Sequence, residues 1–332
     1  MTELLMKLAN TDAPSGLEGK LCDLIAYEAK PHADEVTTDL MGNLLVRKRG
    51  PGAKLLLACR MDEPAFCITH IDRKGFLRFG PVGAISSGNA LGARVRLSSG
   101  VVGVIREEKH DPKTETAYEQ MFIDLGAKGG KEAECLVKVG DLACFASEAR
   151  ERKGVLIGKA LATRALCAAL LQILKSFPGS VNDVTLAFTV QGELSGRGAV
   201  VATWGLTPAL AVVLEGCDTE DFPGTKGASL ALLKGPAILV KDKEIMISPL
   251  VRGFMMAVAL EDKIPYQLEV SEAPALDART VQNASGGTLL GVLSLPVRYR
   301  RTPYEIITLN DWENLIQLLH GILSRDLRQK GF

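Results

Sequence analysis

The sequence predicts an α/β protein: a largely parallel sheet with helices on both faces, interrupted by a small β-rich insert. Three observations predict it. The runs 184–190, 210–214 and 289–295 are continuously apolar rather than alternating, as strands covered on both faces are. Such strands alternate with helical segments, the pattern of a parallel sheet built from crossovers. Between about residues 66 and 154 the texture changes to short β-like runs separated by Gly and Ser turns. The expected organisation is therefore an α/β domain from 1–65 and 155–332, holding a β-barrel-like domain at 66–154.

The elements follow in order. A helix is expected over residues 15–30, opened by a capping box of Ser15 and Glu18 and closed at Pro31, with Leu17, Leu21, Leu24 and Ile25 on one face. Three short strands come next, at 35–38, 44–48 and 54–59, with Gly42-Asn43 and Gly50-Pro51-Gly52 as turns. In the insert, strands are expected at 76–79, 94–97, 101–105 and 142–145, with one short helix at 131–136. Residues 161–177 form a helix with almost no charge, so it must be largely buried. Further helices are expected at 198–204, 249–262 and 310–327, and a strand at 266–270.

Composition narrows the function classes. The chain has 332 residues, 47% of them hydrophobic, which is ample for a full core. Lys plus Arg and Asp plus Glu are both 39, so no net field draws in nucleic acid or an anionic membrane, and neither is an expected partner. The first residues lack an export signal, and the most apolar helical stretch, 165–174, falls short of the roughly 20 residues that span a bilayer. Seven cysteines without CxxC spacing fit reduced thiols, and the expected location is cytoplasmic.

Several apolar strands run into charge. Residues 54–59 lead to Arg60-Met61-Asp62-Glu63, residues 184–190 to Gln191-Gly192-Glu193, and residues 210–214 to Glu215. Residues 289–295 lead to Arg298, Arg300 and Arg301. Open α/β sheets bind ligands beyond the carboxyl ends of their strands, so these side chains point to one charged crevice. Other candidates carry less. Cys59 and Cys217 lie beside the crevice residues, but none of the four histidines (His32, His70, His110, His320) is placed to activate a thiol, and both read as small buried apolar residues. The glycines between 83 and 92 sit in β texture and give no phosphate loop. Trp204 and Trp312 read as core or interface residues.

Strings along the whole chain carry a resemblance. They include APSGLEGKL, DLMGNLLVRKRG, LLLACRMDE, GFLRFGPVG, FIDLGAK, VLIGKAL, FTVQGELSGRGA, KGPAI, IPYQLEV and SLPVRYRRTP. Together they resemble the M42 metallo-aminopeptidases, the tetrahedral and glutamyl aminopeptidase group. The resemblance implies a zinc-peptidase-like α/β domain interrupted by a β-rich domain. It also implies a homo-oligomer, from a dimer up to a hollow dodecamer, and a dinuclear zinc or cobalt centre.

Carried over residue by residue, the implied centre is depleted. The family's His-Met-Asp-Glu string reads Arg60-Met61-Asp62-Glu63, so a histidine ligand is arginine while the orienting aspartate is kept as Asp62. Ala162 stands at the bridging aspartate, Gly192 at the general-base glutamate, and Arg301 at the last histidine. Glu193 and Glu215 keep carboxylates at ligand positions. Asp277, which ends the loop Pro274-Ala275-Leu276-Asp277-Ala278, and the pair Arg298-Tyr299 match positions near the substrate pocket.

A catalytic zinc needs about three protein ligands and an open position for water. A guanidinium has no lone pair to offer and stays charged. Without metal, water keeps a pKa of about 15.7 rather than about 7, and the missing base forfeits a further roughly 10²–10⁴-fold. No bound cofactor is therefore expected, with Glu193 and Glu215 as the residues for zinc or cobalt if any binds. Two dications and two carboxylates have been exchanged for two arginines, which keeps the local charge sum at zero. Ion pairs Arg301–Glu193 and Arg60–Glu215 are the expected result. The chain is expected to act by assembly, by binding a peptide or small molecule, or with an active relative. The alternative is a true aminopeptidase with a rearranged site.

Overall fold

The computed structural model describes residues 2–108, 117–177, 179–225, 229–273 and 276–332. His110 and the Pro274-Ala275 pair lie outside the described residues. Three strands open the sheet: β1 (Glu35–Thr38), β2 (Leu44–Lys48) and β3 (Lys54–Arg60). The insert contributes β4 (Ala65–Ile71), β5 (Leu77–Val82), β6 (Arg94–Leu97), β7 (Val102–Glu107), β8 (Met121–Asp124) and β9 (Leu142–Phe145). These six close into a barrel in the order β4-β5-β8-β7-β6-β9. Its own core packs Phe66 edge-on against Phe79 and Phe145, with ring centroids 5.2 and 5.3 Å apart.

After the barrel come β10 (Arg150–Arg152), β11 (Val155–Gly158), β12 (Asp183–Thr189), β13 (Leu210–Asp218), β14 (Ala237–Lys241), β15 (Gln267–Val270), β16 (Leu290–Val297) and β17 (Glu305–Thr308). The main sheet has eight strands in the order β1-β2-β12-β3-β13-β16-β14-β15. Its centre, β12-β3-β13-β16, is parallel throughout. Antiparallel pairings flank that centre: β2 on β12 at one side and β14 on β16 at the other. The sheet is thus mixed: the strands that deliver the charged residues form its parallel centre, and β14 and β15 pair in parallel again at one edge. Strands β10, β11 and β17 form a separate three-stranded sheet.

Helices flank the sheet. Leu161–Ser176 buries nearly every residue, as its lack of charge requires, and packs against Thr2–Ala9 and Leu309–Leu323. The one arginine it buries, Arg164, is held by Glu63 at 2.8 Å and by the Met61 and Thr11 carbonyls. Trp312 is buried and donates its indole N–H to the Ala165 carbonyl at 2.7 Å, whereas Trp204 is exposed.

The helix expected over residues 15–30 departs from expectation. It begins at Gly19, and Glu18 at its N-cap makes no capping hydrogen bond. Ser15 and Glu18 turn away to the strand ends instead, so the apparent capping box is part of the crevice. Leu17, outside the helix, is exposed. Strand β13 also runs on to Asp218, which puts Glu215 inside the strand rather than after it.

Candidate functional site

Arg60 is the last residue of β3, level with Thr189 of β12. Glu215 of β13 lies beside Ser294 of β16. Glu193 sits in a 3-10 turn, Gly192–Leu194, whose flanking residues Gln191 and Ser195 adopt left-handed backbone angles, φ 54° and 71°. Non-glycine residues reach that region only at a cost. Fixed acceptors offset it here. Asp62 accepts the backbone N–H of Gly192 and of Glu193, each at 2.9 Å. Glu18 accepts the N–H of Gln191 at 2.8 Å. The Ser15 hydroxyl donates to the second oxygen of Asp62. Asp62 therefore orients the turn that aims Glu193, and is fully buried while doing so.

Arg60 spans Glu193 and Glu215, the two carboxylates that the resemblance places at ligand positions. Its Nη2 is 2.9 Å from Glu215 Oε2 and its Nη1 is 3.3 Å from Glu193 Oε1. Arg301 Nε approaches the other oxygen of Glu193 at 3.6 Å. Both expected pairings are present, and Arg60 holds an additional one. Burial works against charge on Arg60, but Glu215 and Glu193 outweigh it and hold the guanidinium above its ordinary range. Burial likewise favours a protonated Glu193, yet Arg60, Arg301 and Arg300 win and keep it below the usual carboxylate value. Arg301 is depressed, because burial outweighs its looser contact with Glu193. The firm member of this network is Arg60.

Gly192 explains how Arg60 fits. A Cβ at position 192 would lie 2.7 Å from Arg60 Cδ, 2.9 Å from Arg60 Cβ and 2.9 Å from Asp62 Oδ1. The stem of Arg60 fills the space that a side chain at 192 would need, so the two substitutions are sterically joined. A barrel loop closes over the top. Gly83, at φ +91°, brings its Cα so near that an added Cβ would meet Glu193 Oε2 at 2.6 Å. The N–H of Ala84 donates to Glu193.

The remaining candidates are distributed around this pair. Ala162 donates its backbone N–H to Glu305 at 2.8 Å, and Arg301 donates its own N–H to the same carboxylate at 2.8 Å. Glu305 is pushed up to about 7 by burial, against those two donors. Asp277 is buried, accepts from Thr189 Oγ1 at 2.8 Å, and is pushed up to about 7 by burial and by Glu215. Asp62 rises to about 6 by burial and the neighbouring Glu193. Arg298 makes a bidentate pair with Asp221, at 2.8 and 2.6 Å, so its guanidinium is already committed. Tyr299 is largely exposed, with its ring 5.6 Å from that of Phe222. Cys59 lies 3.7 Å from Cys167, sulfur to sulfur, and burial holds Cys59 and Cys217 well above the ordinary thiol value. Neither is an activated nucleophile.

These residues do not fit a dinuclear metal centre. Glu193 and Glu215, the ligands that remain, face a guanidinium, and Ala162 supplies no oxygen between them. Among the described residues, the group of three His, Cys, Asp or Glu donors within 4.8 Å of one another is Asp12, Glu63 and Cys144. It contains neither Glu193 nor Glu215. Lys159 already occupies it, 2.5 Å from Asp12 and 2.7 Å from Glu63, with Arg164 on the other oxygen of Glu63. The metal-ligand set is incomplete, and no metal-dependent step is derived from it.

Sequence reasoning missed several of these residues. Glu305 and Lys159 lie outside any strand-end string. Ser15 and Glu18 were visible, but as a helix cap. Gly83 was visible only as one glycine among several. Each makes at least one contact more than 45 residues away in sequence, which no local pattern reports.

The M42 glutamyl aminopeptidase family model matches residues 42–318. A protein of Acetivibrio thermocellus, named provisionally as an aminopeptidase, is 37% identical over 320 residues, covering 96% of this chain and 97% of its own. An aminopeptidase from the archaeon Desulfurococcus kamchatkensis superposes with a TM-score of 0.93 at 31% identity, over 97% of this chain and 94% of the other. A Pyrococcus horikoshii TET1 peptidase, described as assembling into a tetrahedron or a large octahedral shell, gives 0.88 at 27% identity, over 98% and 99%. A barrel set into an α/β domain, a strand-end crevice with Asp62 and Glu193 in place, and a family match over most of the length lead to one conclusion: the chain belongs to the M42 peptidase family.

Proposed function

We propose that this chain is a catalytically silent M42 homologue that acts by binding a small ligand within an assembly of its own copies. The observation that carries the reading is the position of Arg60. Its guanidinium lies between Glu193 and Glu215, and its stem takes the volume of a side chain at 192. The same residue thus displaces a metal electrostatically and a general base sterically. Either loss alone removes the activated water that peptide hydrolysis needs. The conserved charge sum and the retained Asp62 scaffold support a crevice kept in shape rather than collapsed.

Self-assembly is supported by the likeness to the shell-forming TET1 peptidase. No described helix is long and apolar enough to cross a membrane. A cytoplasmic site of action accords with the unpatterned cysteines. The pair Arg298–Asp221 is read as a support for the crevice wall, with Tyr299 beside it.

The test is metal content together with peptide hydrolysis. Purified protein is incubated with zinc, cobalt or manganese, desalted, and analysed by elemental analysis and with amino-acid anilides. The expected result is substoichiometric metal and no hydrolysis above background. Stoichiometric metal that disappears in Glu193→Ala, with hydrolysis that disappears alongside it, overturns the reading and makes the chain an aminopeptidase with a rearranged site.

A further inference from the structure

Beside Arg60 and Glu215 the crevice opens into a cavity of about 370 Å³. Six carboxylate residues line it against two cationic ones, Arg60 and Arg300. Three of the six are committed elsewhere. Glu272 faces Lys241 at 3.4 Å, Asp218 faces Arg300 at 3.4 Å, and Asp242 accepts the N–H groups of Glu244 and Ile245, each at 2.7 Å. Glu269 differs. It is only 8% exposed, its carboxylate accepts the Ser294 hydroxyl at 2.6 Å, and no described Lys or Arg comes within 4.0 Å of it. A buried carboxylate without a cation is costly.

A second, independent feature lies in the same cavity. Glu215 is 4% exposed, and while its Oε2 is paired with Arg60, its Oε1 is buried without a hydrogen-bond partner. Ser294 links the two acids: it donates to Glu269 and sits level with Glu215 on the neighbouring strand. The cavity therefore presents one acceptor without a hydrogen-bond partner, Glu215 Oε1, beside a buried carboxylate, Glu269, that no described cation touches. Leu230, Leu239 and Val292 supply apolar wall beside them.

The donor set of the cavity selects among cations. A metal ion requires several donors converging within a few ångströms. Among the described residues no three such donors in this cavity come within 4.8 Å of one another. A primary ammonium has three donors and needs no converging set of three anionic ligands, while its alkyl stem covers apolar wall.

We propose that this cavity binds the primary ammonium group of an alkylamine, with Glu269 as its counter-ion and Glu215 Oε1 as a further acceptor. The proposal rests on the metal-free reading of the adjoining crevice, because a metal at Glu215 would take that oxygen. The ammonium belongs either to a free amine or to a lysine side chain of a peptide.

The test is calorimetric titration of the metal-depleted protein. The probes are 1,5-diaminopentane, glycyl-lysine, glycyl-norleucine and, as the uncharged analogue, 1-pentanol. The expected result is saturable binding of diaminopentane and none of pentanol. Glu269→Gln keeps the Ser294 contact and the volume, and is expected to weaken diaminopentane at least tenfold with an unchanged circular dichroism spectrum. Glu261→Gln makes the same charge change outside the cavity and is expected to bind as the parent does. Glycyl-lysine binding at least as tightly as diaminopentane, with glycyl-norleucine silent, assigns the lysine side chain; the reverse order assigns the free amine. No saturable amine binding, or parent-like binding by Glu269→Gln, overturns the proposal and leaves the metal-free reading untouched. Binding that requires added zinc overturns the metal-free reading and this proposal with it.

Discussion

The joining of Arg60 to Gly192 is open to a double-mutant cycle. Removing the guanidinium in Arg60→Ala leaves Glu193 and Glu215 buried with only the loose Arg301 contact at 3.6 Å. Breaking one partner of a buried pair costs about 3–5 kcal/mol. Gly192→Ala introduces a Cβ 2.7 Å from Arg60 Cδ and 2.9 Å from both Arg60 Cβ and Asp62 Oδ1. Overpacking of this kind costs about 1–3 kcal/mol. In the double variant the Cδ contact is gone, while the Cβ and Asp62 contacts persist. Part of the second cost is thereby relieved, and the two changes are expected to be non-additive by about 1–2 kcal/mol, within the range for residues in contact. Urea unfolding followed by circular dichroism measures it, at one protein concentration because assembly shifts apparent stability. Additivity within about 0.5 kcal/mol would show that the stem of Arg60 does not occupy the space at 192, and would refute the steric part of the argument.

Further outcomes follow from the buried charges. Glu63→Ala strands Lys159 and Arg164 without their shared carboxylate, and is expected to lower stability by about 3–5 kcal/mol; an unchanged melting temperature would show that Asp12 alone holds both. Ser15→Ala removes one of the three donors to buried Asp62, whose oxygens keep the Gly192 and Glu193 N–H groups, and is expected to cost about 0.5–1.5 kcal/mol, the net scale for one hydrogen bond; an unchanged melting temperature would show that the hydroxyl contributes nothing. The pH dependence should also run against habit. Asp62 is raised to about 6, and Asp277, Glu269 and Glu305 to about 7, each chiefly by burial. A group raised on folding contributes stability below its unfolded pKa and loses it as pH rises through the folded value. The melting temperature is therefore expected to fall between about pH 4 and pH 7; Glu193, which is lowered, acts in the opposite sense only at more acid pH. A flat or rising profile over that window would sink the assignment. Glu269→Gln isolates one contributor: Ser294, Arg300, Glu215 and Asp218 are the polar neighbours that act on it. It is expected to stabilise at pH 8, by on the order of 1–3 kcal/mol at about 1.4 kcal/mol per pKa unit, and to change nothing near pH 4.

How much of this was legible in the sequence depends on the range of the signal. The buried strands and the long apolar helix were readable because their periodicity is local, and Leu161–Ser176 begins where its pattern does. Arg60, Glu193 and Glu215 were readable as charges at the ends of apolar runs, and their meeting was readable from parallel-sheet geometry. One inner strand of the main sheet was not: β14, second from the edge and antiparallel to β16, has a short apolar run that looks like loop until β16 is beside it. The barrel lost β4 and β8 for the same reason. The serine and glutamate near the start were misread because a capping box shares its spacing with a crevice donor, Ser15, and a crevice acceptor, Glu18. Only the fold decides whether Glu18 reaches the helix or, as here, Gln191.

The geometry also bears on why the crevice is intact at all. Glu193 and Glu215 are 8% and 4% exposed, so neither can rely on water to balance its charge. If metal binding were lost with nothing in its place, two buried carboxylates would face one another uncompensated, and the fold would carry the cost of both. A guanidinium on β3 supplies the missing positive charge from within the chain, but only if position 192 gives up its side chain to admit the stem. Charge and volume therefore had to be exchanged together. What a guanidinium cannot supply is a vacant coordination position and an acidified water. On the proposed reading, the exchange keeps the electrostatics that hold the strand ends in place and gives up metal-dependent chemistry, leaving a shaped, acid-walled cavity next to a closed centre.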